Sequence, residues 1–198
     1  VLSKRWFILR HGRSEANEAG IIASRLANAE HAYGLIEQGR AEVAASVELA
    51  AQQLLARPPL VLITSPFLRT RETAEIAGSL LNVVPSVDNR LRERDFGDFE
   101  LLSDRHYKEV WATDPEKPAT PPGRAETVEA VAGRALDLIL EVERESPAHT
   151  CLLVTHCDVA MILECLFSDL DPCHHRRLDP ITTGGLRRLQ RGRRKLGQ

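Results

Sequence analysis

The sequence predicts an α/β protein, a three-layer α/β/α sandwich around a mainly parallel sheet. Two observations carry this. Three short apolar runs, at residues 6–9, 60–64 and 149–156, are continuous rather than alternating, as in strands buried on both faces. Longer stretches with apolar residues at helical spacing separate them, and strands alternating with helices imply a parallel sheet covered on both sides. The 198 residues fit one domain, 1–198, and a chain of that size buries a sizeable core without disulfide or metal staples.

The elements follow in order. Residues 6–9 form the first strand. Residues 12–38 are polar and aperiodic, long for a loop and therefore a candidate functional segment. Residues 41–56 are rich in alanine and leucine, with Val43, Val47, Leu54 and Leu55 at helical spacing, and the Pro58-Pro59 pair stops that helix. The strand at 60–64 leads through "SP" into a helix over 67–81, and residues 83–87 suit a short edge strand. Residues 88–97 are charged and irregular. Four prolines make 114–124 a loop. A long amphipathic helix is expected over 126–145, a strand over 149–156, a helix over 158–167 and an exposed last strand within 182–190.

The formal net charge of −2 gives no global attraction to nucleic acid or membrane. The locally basic stretch 186–195 reads as a solvated edge and tail. No segment approaches the roughly 20 apolar residues of a membrane span, and no signal-peptide pattern opens the chain. Cys151, Cys157, Cys165 and Cys173 form no CxxC pair, which suits unpaired thiols in a reducing, cytoplasmic compartment. Cys173-His174-His175 lacks the second cluster that a tetrahedral metal site needs, so no metal is expected. Nothing in the sequence speaks to oligomeric state.

In a sheet of this kind ligands gather beyond the carboxyl ends of the strands. The first run ends in Arg10-His11-Gly12. The second ends in Thr64-Ser65-Pro66, with Arg69 in the first turn of the helix that follows. The third ends in Thr155-His156. Two arginines and two histidines thus converge on one sheet edge. Any one of them alone is more simply a solvated or internally satisfied side chain; all four together suit a phosphoryl dianion. Arginine offers paired planar donors to phosphate oxygens, a helix start adds a favourable dipole, and a neutral imidazole can attack phosphorus. Gly12 is expected to leave room for close approach to the backbone. The remaining requirement is an acid for the departing alkoxide, and Glu93 and Asp95 in "RLRERDFGDFE" are the candidates.

These motifs resemble the histidine phosphatase superfamily, the phosphoglycerate mutase-like fold. "LRHGRSEAN" is similar to its RHG motif, and "TSPFLRTRETAEIA" to its SPxxRxxQTA motif with Glu72 where Gln is common. "LRERDFGDFE" resembles the stretch carrying the catalytic acid, and "LLVTHCDV" the last strand and second histidine. The likeness runs over residues 7–189. It implies that His11 is the nucleophile, that Arg10, Arg69 and His156 grip the phosphoryl oxygens, that Asn17 and Ser14 add polar groups, and that Glu93 is general acid and then base. It implies no metal and no cofactor.

Two positions depart from the pattern. Cys157 stands where glycine usually follows the second histidine, and "DFGDFELLS" replaces a G-x-W-E-G pattern. The mutases of the family are longer and carry Trp where this chain has Ala16, whereas "ERDFG" resembles their "ERxYG". The expected activity is hydrolysis of a small phosphorylated metabolite. The alternatives are a mutase-type phosphotransferase and a non-catalytic domain that binds a phosphorylated ligand. The segments 20–38 and 114–124 are expected to contact the non-phosphate part of the substrate.

Overall fold

The computed structural model describes residues 2–190 and Gly192. Five strands are formed: β1 (Arg5–Arg10), β2 (Leu60–Thr64), β3 (Ser86–Val87), β4 (Thr150–Thr155) and β5 (Leu186–Arg188). Their spatial order is β3-β2-β4-β1-β5, parallel throughout except for β5, which runs antiparallel to β1. The central strand β4 is buried along its whole length, as its unbroken apolar sequence requires.

The helices are α1 (Glu15–Ala19), α2 (Leu26–Ala29), α3 (Glu37–Leu55), α4 (Leu68–Leu81), α5 (Tyr107–Thr113), α6 (Val128–Glu145) and α7 (Cys157–Phe167). Strand side chains alternate between two cores. Trp6, Ile8, Cys151 and Leu153 pack against α6 and α7; Phe7, Leu9, Leu152 and Val154 pack against α3 and α4. That period of two divides the molecule into three layers.

The expected helices and strands are present with shifted ends. The aperiodic 12–38 segment contains α1, α2 and the first two residues of α3. The 114–124 stretch forms two short 3₁₀ turns, Asp114–Glu116 and Pro122–Arg124. The basic 186–195 stretch begins as β5; residue 191 and residues 193–195 lie outside the described residues. Gly12 does grant a close approach, but of helix α3 rather than of a ligand: a Cβ there would sit 2.3 Å from the Gly39 carbonyl oxygen.

A buried ion cluster ties the loops to the sheet. Arg94 is fully buried and donates to both oxygens of Asp114 at 2.8 Å; its Nη1 lies 3.6 Å from Asp158. Asp114→Ala removes the bidentate partner and leaves a buried guanidinium facing one distant carboxylate. Breaking such a pair costs about 3–5 kcal/mol. Urea denaturation is expected to show a loss of that size, and a change below about 1 kcal/mol would contradict the cluster's structural role.

Candidate active site

The three central strands end level with one another. Arg10 pairs with Thr155, and Thr64 with Val154. The backbone continues the ladder for one residue beyond: His11 N–H donates to Thr155 O and Ser65 N–H to Val154 O, both at 3.0 Å. His11, Ser65 and His156 are therefore delivered to one edge by the register of the sheet. Helices α4 and α7 begin just beyond β2 and β4, so two positive dipole ends face the same edge.

His11 is almost fully buried. Its Nδ1 lies 2.8 Å from the Gly12 carbonyl oxygen, which has only lone pairs to offer, so Nδ1 carries the proton and Nε2 is left with a lone pair. Arg69 Nε donates to that Nε2 at 3.2 Å. Burial, then the charges of Arg69 and Arg10, push the ring's pKa well below its ordinary value, so the imidazole is neutral.

Arg69 is held by the Ala23 carbonyl (2.9 Å from Nη2) and lies 3.2 Å from His156 Nδ1. Its Nη1 is buried without a hydrogen-bond partner among the described residues, and so is Arg10 Nε. Arg10 Nη1 donates to the Ile181 carbonyl at 2.8 Å, which fixes the other end of its guanidinium. Two arginines thus line one cavity, each with a buried donor that lacks a partner, and an oxyanion bound there would supply acceptors.

His156 is 0% exposed and lies behind Arg69 rather than on the cavity surface. Its Nε2 is 2.8 Å from Ser65 Oγ, and its ring meets those of His11 and Phe67 edge-on at 5.2 and 4.9 Å. Burial, then the charge of Arg69, also lowers its pKa well below the usual range.

Ser14 caps α1 in a reciprocal box. Its hydroxyl and backbone N–H donate to Asn17 Oδ1 at 3.0 and 3.1 Å. The Asn17 carbonyl is thereby engaged, and its amide NH₂ is the group left for the cavity that both residues line. Of the two candidate acids the structure separates Asp95, which pairs with Arg25 at a half-exposed position, from Glu93, which lines the cavity and is only 7% exposed. Glu93 Oε2 is 3.8 Å from His156 Nδ1. Burial, then the nearby Asp158 carboxylate, raises the Glu93 pKa to about 7 against the opposing pull of Arg69 and Arg10. Its segment is pinned across the sheet edge: Thr155 Oγ1 donates to Leu91 O at 2.8 Å, and Arg134 to Arg90 O and Glu93 O at 2.6 and 3.2 Å.

The cavity encloses about 260 Å³. Its outer wall differs from expectation. Ile21 and Ala23 from the first loop line it, but the 114–124 stretch does not, because the buried Arg94–Asp114 pair turns that stretch inward. Instead Tyr107 and Trp111 of α5, Phe96, Asp158 and Arg176 form the wall. Tyr107 and Trp111 lie on one face of α5, which is too short for sequence periodicity to mark it. Nothing in sequence spacing marks Asp158 or Arg176. Cys157 lines the cavity with its Sγ toward Met161 Sδ (3.6 Å), and burial raises its thiol pKa. All four cysteines are free.

Comparison with known proteins shows the family. The family model described as histidine phosphatase superfamily (branch 1) matches residues 6–196. "Putative phosphoserine phosphatase 2" of Hydrogenobacter thermophilus is 27% identical over 175 residues, covering 84% of this chain and 80% of its own length. A glucosyl-3-phosphoglycerate phosphatase of Mycobacterium tuberculosis is 28% identical over 73% of this chain; the alignment spans 63% of that longer protein. The structure of a mycobacterial glucosyl-3-phosphoglycerate phosphatase complexed with VO3 superimposes with a TM-score of 0.75 at 25% identity, covering 93% of this chain and 92% of that one. With a family match from the first strand past the last, the chain belongs to the histidine phosphatase superfamily, branch 1.

Proposed function

We propose that this chain is a metal-independent phosphomonoester hydrolase that acts on a small phosphorylated metabolite through a phosphohistidine formed on His11. The observation that carries the reading is the His11 ring itself: its proton is fixed on Nδ1 by the Gly12 carbonyl, so Nε2 of the neutral ring keeps its lone pair in the cavity that Arg10 and Arg69 also line.

The chemistry then follows in two displacements. His11 Nε2 forms a bond to phosphorus as the ester P–O bond breaks, and protonated Glu93 gives its proton to the departing alkoxide. Arg10 and Arg69 hold the phosphoryl oxygens as charge redistributes, with the Asn17 amide beside them; His156 acts from behind by positioning Arg69, and Ser14 by fixing Asn17. Water then attacks phosphorus, the Glu93 carboxylate takes its proton, and the P–N bond breaks to release inorganic phosphate and neutral His11. The arginines supply the positive charge that a metal would otherwise bring.

The phosphatase names of the relatives support transfer to water over return to a second hydroxyl, as does Ala16 in the cavity wall. A cavity of about 260 Å³, below the usual range for drug-sized ligands, supports a small metabolite over a phosphoprotein. Four free cysteines support a reducing, cytoplasmic setting; among the described residues no helix is long and apolar enough to cross a membrane. The test is phosphate release from p-nitrophenyl phosphate in excess EDTA. Turnover is expected to be unaffected by the chelator. Loss of activity in EDTA with recovery on adding a divalent metal would overturn the metal-independent reading, and binding without turnover of any ester would favour the ligand-binding alternative.

A further inference from the structure

The outer wall of the cavity is a stack of three planar groups. The Tyr107 and Trp111 rings lie parallel, 8° apart at 5.1 Å, and the Arg176 guanidinium carbon sits 3.7 Å above the Trp111 ring. Stacking on a fixed indole defines the plane of a side chain that would otherwise sample many rotamers. The indole is fixed in turn, because Trp111 Nε1 donates to Asp158 Oδ2 at 2.9 Å.

Arg176 is held by one nitrogen. Nη1 contacts Asp158 Oδ1 at 3.4 Å, Met161 Sδ at 3.3 Å and Cys157 Sγ at 3.7 Å. Nε and Nη2 have no hydrogen-bond partner among the described residues, and the side chain is about a quarter exposed while lining the cavity. The open side of the guanidinium is therefore its Nε–Nη2 edge, two parallel N–H donors of the kind that match a carboxylate. Asp158 cannot satisfy that edge: it lies on the Nη1 side, is buried, and is shared with Trp111, Arg94 and His175. Asp104 also lines the cavity, but from an exposed turn where solvent screens it.

The phosphoryl group occupies the end of the cavity at His11, and Glu93 must reach the bridging oxygen. The leaving group therefore extends toward the Tyr107–Trp111–Arg176 wall. From this geometry, and resting on the phosphomonoesterase reading above, we infer that the substrate's leaving group carries a carboxylate that pairs with the Nε–Nη2 edge of Arg176, making Arg176 the residue that selects among phosphate esters.

The test is calorimetric titration of the His11→Ala protein, which is expected to bind esters without turning them over. Two matched pairs serve as probes: 3-phosphoglycerate against glycerol 3-phosphate, and O-phosphoserine against phosphoethanolamine. The carboxylated member of each pair is expected to bind about 10- to 100-fold more tightly, the range of a charge-assisted hydrogen-bonded pair. Adding Arg176→Met, which keeps the stem over Trp111, is expected to shrink that ratio to about threefold or less; Arg176→Gln is the second variant if the methionine protein does not fold. Equal binding within both pairs, or a preference that survives loss of Arg176, would overturn the assignment. Because this readout is binding, it stands apart from the phosphatase reading, which fails only if the protein with His11 intact turns over no phosphate ester, p-nitrophenyl phosphate included.

Discussion

His11→Ala is expected to abolish phosphate release, with kcat reduced on the order of 10⁴-fold or more. No second group can take over its role. His156, the nearest imidazole, is sealed behind Arg69 with its Nε2 against Ser65. Cys157 reaches the cavity, but burial raises its thiol pKa and holds it protonated, the poorly nucleophilic form. The variant is expected to remain folded, because His11 contributes a single side-chain hydrogen bond to the adjacent carbonyl and one from Arg69. Thermal unfolding separates the two effects: near-native stability with no turnover is the expected combination. Retained turnover would remove His11 from the mechanism.

Glu93→Gln is expected to produce the second-largest loss, about 10²- to 10⁴-fold on alkyl phosphates, and a distinctly smaller one on p-nitrophenyl phosphate. The aryl leaving group departs as a stabilised anion and needs little protonation. A residual deficit on the aryl ester is expected from the second displacement, where the same carboxylate receives the proton of water.

The pH dependence has a definite sign. Burial and Asp158 place the Glu93 pKa at about 7, so the free enzyme holds the required acid below that pH and loses it above. For alkyl esters kcat/KM is expected to fall about tenfold per unit above pH 7. His11, by contrast, stays neutral to well below its ordinary range. The acidic limb is then set first by the ester's own second ionisation near 6 rather than by protonation of the nucleophile. Glu93→Gln removes the basic limb. An alkyl-ester profile that stays flat from pH 6 to 9 in the unaltered protein would contradict the assignment of Glu93 as the acid.

The parts of the site that were legible in the sequence are those where a buried run stops abruptly. Arg10-His11, Ser65 and His156 stand out together, because three separate apolar runs end in such groups at once. Parallel register then makes their convergence a consequence of the fold. Arg69 was legible as an early residue of the helix that follows. Glu93 stood in an irregular charged stretch, and its separation from Asp95 depends on which side chain the Thr155–Leu91 and Arg134 contacts turn inward.

The outer wall was not legible, for physical reasons. Helix α5 has seven residues and one buried side chain, too short for a periodic signal. The partners Arg94, Asp114 and Asp158 are distant in sequence, and the proline content of 114–124 marks a loop without showing that the fold buries a carboxylate in it. Arg176 sits in "CHHRR", where nothing in the sequence singles it out; only the indole beneath it reveals a fixed guanidinium.

The central claim is covalent phosphorylation of His11 without a metal. The most direct measurement is rapid mixing of the protein with p-nitrophenyl phosphate in excess EDTA, an alkaline quench that preserves phosphoramidate bonds, and mass analysis of the proteolytic peptides. The account predicts a phosphoryl group on the peptide bearing His11, formed and lost at rates compatible with turnover, and absent from His11→Ala. Steady turnover with no phosphorylated peptide, or with the phosphoryl group on any other residue, would contradict it.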